Sequence, residues 1–211
     1  MLIDLHTHTQ PLSHDSLLTP DDLIHAAKAA GLHAVCLTEH DFAWDAEDIR
    51  ALARRHAFRI LPGIEVNTED GHFLAFGLDR YVYGMHRIAE LARHVREANG
   101  ALIAAHPYRR QLPFHLRREG DWSEPLDRAA ANPAYSHAGA MEAINGRGSD
   151  RENAFARALC DRLSLPAVAA SDAHARADLG RCATEFDRPV SDLPTLIEEL
   201  HAGRFRPVRL S

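Results

Sequence analysis

The sequence predicts an α/β fold in which parallel strands are joined by helical crossovers. Two observations carry that expectation. Short apolar runs alternate with helical stretches about seven times along 211 residues, the signature of repeated strand–helix units. Unusual polar residues then stand at the C-terminal ends of the apolar runs, the face on which parallel barrels build their sites. Seven units is short for a full eight-fold barrel, so a smaller or distorted barrel is expected. A doubly wound open sheet is the competing architecture.

The elements follow in order. Leu2, Ile3 and Leu5 read as a buried strand, on which alternate side chains share a face. "LTPDDLIHAAKAAGL" is a helix with Thr19 as N-cap, Pro20 at its first position, acids in its first turn and Gly31 as its stop. "HAVCLTEH" is a strand, and "WDAEDIRALARRHA" a helix capped by Asp45. "FRILPGIEVN" is a strand interrupted by Pro-Gly, and "GHFLAFGLD" is another. "MHRIAELARHVREANG" is a helix closed by Gly100, followed by the strand "ALIAAHP". "HAGAMEAIN", "SDRENAFARALCDRL" and "PAVAASDAH" read as strand, helix and strand. "DLPTLIEELHAGR" is a last helix, and "FRPVRL" a short closing strand. The stretch from Tyr108 to Ser136 breaks the rhythm and reads as a long loop or small insertion with short helical pieces, inside one domain spanning residues 1–211.

Composition narrows the class. Apolar residues make up 45% of the chain and charged residues 26%, enough for a core and ordinary for a water-exposed surface. A net charge of −6 argues against a long duplex nucleic acid as partner. No apolar run approaches the roughly 20 residues of a membrane span. The first strand begins at residue 2, which leaves no room for a signal peptide. Cys36, Cys160 and Cys182 form no CxxC pair and read as reduced thiols, so a cytoplasmic protein is expected. The outlier is histidine, with fifteen copies.

Several of these histidines stand at strand ends beside carboxylates. His6 and His8 project together from the first strand, about 7 Å apart, near enough to meet on one metal ion. His14 and Asp15 lie in the next loop, and Glu39, His40 and Asp41 after the second strand. Glu65 is on the third strand, His72 begins the fourth and His106 follows the fifth. Glu142, Asn145 and Arg147 belong to the sixth. Asp172 and His174 repeat the i, i+2 relation after the last core strand. Imidazoles and carboxylates without thiolates suit Zn²⁺, Mn²⁺ or Fe²⁺. The set is too large for one four-coordinate ion and implies two or three, with Glu65 as the natural bridge. An unpartnered buried glutamate is costly, which also points to a cation beside it. Asp4 and Asp41 are expected to orient ligand histidines. Arg109, Arg147 and Arg181 are suitable forks for a phosphate.

"DLHTHT", "LTEHD", "GIEV", "AHP" and "SDAH", in this order and spacing, resemble the polymerase-and-histidinol-phosphatase (PHP) superfamily of metal-dependent phosphoesterases. The resemblance spans residues 2–174. It implies a distorted (β/α)7 TIM-like barrel with a trinuclear metal centre. Its ligand sets would be His6, His8, Glu65 and Asp172; Glu65, His72 and His106; and Asp15, His40 and His174. Counting forward from His8 points to His14 as the loop ligand, whereas counting back from Pro20 points to Asp15, which is preferred. The continuation of the chain resembles the small stand-alone members, which act on nucleotides or short nucleic acids.

The expected function is hydrolysis of phosphate esters of nucleotides or short oligonucleotides by a hydroxide formed on the metals, with Asp172 and His174 as candidates for proton transfer. Two alternatives stay open. One is a metal-dependent amidohydrolase, since the same nucleophile attacks carbonyls. The other is a non-catalytic binding module stabilised by its metals.

Overall fold

The structure is a computed structural model, and it describes residues 1–210. In chain order it runs β1 (Leu2–Thr7), α1 (Pro20–Ala29), β2 (Ala34–His40), α2 (Ala46–His56), β3 (Arg59–Thr68), β4 (Gly71–Phe76), α3 (Ile88–Glu97) and β5 (Ala101–Ala104). It continues with α4 (Tyr108–Gln111), α5 (Ser123–Ala130), β6 (Ala140–Asn145), α6 (Asp150–Leu163), β7 (Ala167–Ala170), β8 (Cys182–Phe186), α7 (Leu193–Ala202) and β9 (Phe205–Arg209). The helices begin where their caps dictate. The Thr19 hydroxyl accepts from Asp22 N, the Asp45 carboxylate from Glu47 N, and Ser149 with Glu152 forms a reciprocal capping box.

All nine strands belong to one sheet, ordered β7-β6-β5-β4-β3-β2-β1-β8-β9. A parallel bridge from Thr7 to Ala173 brings β1 against the chain leaving β7, so the sheet curls into a nearly closed barrel rather than an open doubly wound sheet. One core cluster draws on eight strands at once and is therefore the barrel interior. It holds Ile3, Leu5, Ala34, Cys36, Leu74, Phe76, Ile103, Val168 and Phe186, with Leu196 and Leu200 of α7. Its many small residues fit the narrow lumen. Leu23, Ile24, Val35, Leu37 and Ile60 pack α1 and α2 on one outer flank. Leu91, Val95, Leu102, Met141, Phe155 and Leu159 pack α3 and α6 on another.

Three features depart from simple alternation. β4 is antiparallel to both β3 and β5, because a tight turn rather than a helix joins it to β3. β8, which the sequence pattern does not signal, pairs antiparallel with β1 and β9. Two parallel ladders also contain bulges. Between β1 and β2, Asp4 pairs with Val35 but Thr7 pairs with Leu37, so Leu5 and His6 together oppose Cys36. Between β6 and β7, Glu142 pairs with Val168 and Ile144 with Ala169. The extra residue puts Glu142 and Asn145, three apart, on the same lumen side. Among the described residues no helix is long and apolar enough to cross a membrane.

Candidate metal centre

His6 on β1 and His8 just after it, His40 at the end of β2, Glu65 on β3, His72 on β4, His106 after β5 and Asp172 and His174 after β7 meet at one end of the barrel. Backbone contacts join the two i, i+2 pairs. His8 N donates to Ala173 O at 3.0 Å, and the Asp4 carboxylate accepts from both His6 N and Ser171 N, at 3.3 and 3.0 Å. A Cβ on Gly146 would stand 2.9 Å from Ser171 O, so only glycine lets the end of β6 pass this close. Asp41, His106 and Asp172 take positive φ angles of 52°, 25° and 54°. Such backbone strain concentrates where side chains must be aimed.

Four donor atoms surround one point. His6 Nε2 lies 3.3 Å from Glu65 Oε2 and 3.6 Å from Asp172 Oδ1. His8 Nε2 lies 3.2 and 3.5 Å from the same two oxygens. All four atoms are buried and lack a hydrogen-bond partner. Metal–ligand bonds of about 2.1 Å in a tetrahedron put donors about 3.4 Å apart. These residues therefore fit a divalent cation. Glu65 Oε1 turns the other way and lies 2.8 Å from His72 Nδ1 and 2.9 Å from His106 Nε2, the second grouping able to hold an ion. Asp15 faces His174 Nε2 at 3.0 Å and His40 Nε2 at 3.4 Å, while His14 is exposed. His40 Nδ1 is 2.9 Å from Glu65 Oε2 but without the alignment of a hydrogen bond. Glu65 thus touches every cluster, and Asp15 rather than His14 is the loop residue beside the histidines.

The electrostatics favour positive charge at the middle. Burial works against a charged His6, yet Glu65, Glu142 and Asp172 hold its imidazole well above the usual histidine range. Burial also works against Glu65, but His6, His106 and His40 hold its carboxyl well below the usual range. Asp172 is held down in the same way by His6, His8, His106 and Arg109. Burial pushes His106 down, and burial followed by the charge of His8 pushes His174 down.

The groups that orient the ligands are not those expected. Asp4 binds backbone amides, and Asp41 accepts from Asn67 N at 3.1 Å; neither touches a ring nitrogen. His6 Nδ1 instead donates to Glu142 Oε1 at 2.7 Å, which leaves Nε2 free. The other Glu142 oxygen accepts from His106 N at 2.8 Å and from Asn145 Nδ2 at 3.0 Å. His8 Nδ1 meets Ser13 Oγ at 3.1 Å, and Ser13 donates to Glu39, which also accepts from Thr9 and Trp44. Glu142 and Glu39 stand in plain view in "MEAIN" and "LTEH". Their roles become readable only from the β6 bulge and from the fold of the loop after β1.

The three arginines differ. Arg109 donates to Asp172 Oδ2. Arg147 Nη1 lies 2.8 Å from His174 Nδ1, which also lies 2.8 Å from Asp172 O. A ring nitrogen that donates to that carbonyl cannot also accept from a guanidinium. With His174 Nε2 as the ligand atom, exposed Arg147 is left to find an anion. Arg181 donates to the carbonyls of Gly146 and Ala177, at 3.0 and 3.1 Å, and props the loops around the site.

Comparison with known proteins agrees with this arrangement. The profile described as PHP domain matches residues 4–123, and the one described as PHP-associated matches residues 150–205. A 5′-3′ exoribonuclease of Haemophilus influenzae is 23% identical over 205 residues, 95% of this chain and 65% of that protein. A 3′,5′-nucleoside bisphosphate phosphatase of Chromobacterium violaceum is 33% identical over 81 residues, 36% of this chain and 28% of that one. The matches thus span less than two thirds of either relative's length. A solved two-domain protein of Bacteroides vulgatus, containing a predicted PHP-like metal-dependent phosphoesterase, has the same fold. Its TM-score is 0.68 at 20% identity, over 100% of this chain and 65% of that one. A family profile covering more than half of the chain, with a barrel and a histidine–carboxylate cluster to match, shows that the chain belongs to the PHP domain family.

Proposed function

We propose that the chain is a cytoplasmic hydrolase of phosphate esters of nucleotides or short oligonucleotides, built as one PHP domain over residues 1–211. Two or three divalent cations (Zn²⁺, Mn²⁺ or Fe²⁺) are held by His6, His8, Asp15, His40, Glu65, His72, His106, Asp172 and His174. The observation that carries this reading is the set of buried, unpartnered donor atoms at tetrahedral spacing, flanked by Arg109 and Arg147. Bound divalent cations supply Lewis acidity toward a phosphoryl oxygen and toward water.

The chain's own residues do the rest. Arg109 and Arg147 bind the non-bridging phosphoryl oxygens and orient the ester. Asn145, fixed by Glu142 and Asp172, holds that wall of the site. Water oxygen bonds to phosphorus, the ester P–O bond breaks, and the alcohol leaves with a proton. Asp172 is held ionised by its neighbours and by Arg109, which makes it an anchor. His174, with Nε2 turned to the donor cluster and Nδ1 donating to Asp172 O, has no ring nitrogen left to move that proton, so it too is an anchor and the proton comes from solvent. Two guanidinia, one on Asp172 and one beside His174, favour a phosphoester over an amide, and an intact ligand set of this size favours catalysis over a purely structural site.

The test is a panel of phosphomonoesters, a 3′,5′-bisphosphate, short RNAs and amides, run on full-length protein loaded with Mn²⁺ or Zn²⁺. Phosphoester hydrolysis that a chelator abolishes and metal restores is the expected result. Turnover of amides alone, or of nothing, contradicts the proposal.

A further inference from the structure

We infer that Phe114 is the platform on which the substrate's nucleobase stacks; this rests on the phosphoester reading above. Four large apolar side chains are exposed among the described residues: Leu17, Phe42, Tyr83 and Phe114. Single exposed apolar residues are ordinary, but these share the rim loops. Leu17 lies two residues beyond Asp15 and Phe42 two beyond His40. Tyr83 is on the loop whose His86 carbonyl accepts from Glu69 N, in the turn between β3 and β4. Phe114 follows α4, on the segment that leaves His106 and Arg109.

Leu17 meets the centre through its backbone, its N donating to His174 O at 2.7 Å, whereas Phe114 is tied to it through an arginine side chain. It is 76% exposed, yet the Arg117 guanidinium lies 5.7 Å from its ring centroid. Arg117 in turn donates to Arg109 O at 2.8 Å and to Leu112 O at 3.3 Å, and stands 3.6 Å from Glu152. Arg109 holds Asp172. The contacts Asp172–Arg109–Arg117–Phe114, which pass through the main-chain carbonyl of Arg109, tie the ring to the residue whose guanidinium reaches Asp172. A nucleotide presents the same order: an anionic phosphate, a sugar, then a flat base. Aromatic stacking accepts any base, because each has a π-face. The surroundings also argue against a protein partner. Phe114 is followed by His115, Arg117, Arg118 and Glu119, so the apolar area is one ring, far below a stable protein interface.

The test uses the full-length, Mn²⁺-loaded protein with Phe114→Ala and Phe114→Trp. Substrates are AMP and ribose 5-phosphate, which keeps the phosphate and sugar but lacks the base. The ratio of kcat/KM for AMP to that for ribose 5-phosphate is expected to fall about tenfold in Phe114→Ala, mainly through KM. Phe114→Trp is expected to restore it. An unchanged ratio in Phe114→Ala overturns the platform. Should wild-type protein hydrolyse neither compound, the wider substrate panel judges the phosphoester reading, and tryptophan fluorescence of Phe114→Trp judges the platform separately. Saturable quenching by AMP, beyond that of wild type and absent with ribose 5-phosphate, supports it; no such quenching overturns it.

Discussion

Glu142 shows how much of this centre depends on a residue outside the donor set. Its carboxylate fixes the His6 tautomer through Nδ1 and at the same time holds the His106 amide. Glu142→Gln keeps the shape and removes the charge, and is expected to weaken metal binding by about 10- to 100-fold in competition with a chelating dye. Unchanged affinity would show that Glu142 merely fills space. Asp4 makes a separate, pH-dependent contribution. Burial raises its pKa from 3.8 to about 6, and one oxygen has no hydrogen-bond partner. The folded protein therefore binds this proton more tightly than the unfolded chain. Relative to Asp4→Asn, wild type is expected to lose about 3 kcal/mol of stability as pH rises from about 3 to about 7, and little more beyond. Urea unfolding of both proteins across that range checks it, and parallel curves would contradict it.

Elements set which of these residues can meet. Gly63 sits where β3 passes between neighbours, and a Cβ there would lie 2.8 Å from the Phe76 ring and 2.9 Å from Thr38 Cγ2. Gly63→Ala is expected to cost about 1–3 kcal/mol of stability by denaturant titration, without loss of ligands. An unchanged midpoint would mean that the strands part easily. Most of the helices and strands were legible from caps and apolar runs, because caps such as Thr19 and Asp45 act within one turn of chain. The strand-end histidines and carboxylates were legible for a similar reason, since parallel order sends those ends to one face. What escaped depends on pairing across the sheet. The β6 bulge places Glu142 and Asn145 on one side, where a two-residue period would separate them. β8 is short, and its place is set by β1 and β9 rather than by its own pattern. Arg181 looks like a phosphate fork in sequence, and its two carbonyl partners exist only once the loops are folded.

At the scale of the whole molecule, the barrel closes by laying the first and last core strands side by side, and His6, His8, Asp172 and His174 of the candidate metal centre stand on that seam. Loading with metal should therefore stabilise the entire fold. At a free metal concentration 100 times Kd the gain is about 2.7 kcal/mol, read as a raised unfolding midpoint that chelator reverses. No shift on loading would place the ions away from the seam, or nowhere. The most direct measurement is the elemental content of full-length protein after Mn²⁺ loading and removal of free ion. Two to three equivalents per chain are expected, falling to about one or fewer in Glu65→Gln, because Glu65 faces every cluster. Fewer than about half an equivalent in the wild type, or a Glu65→Gln protein that binds as much, would contradict the account.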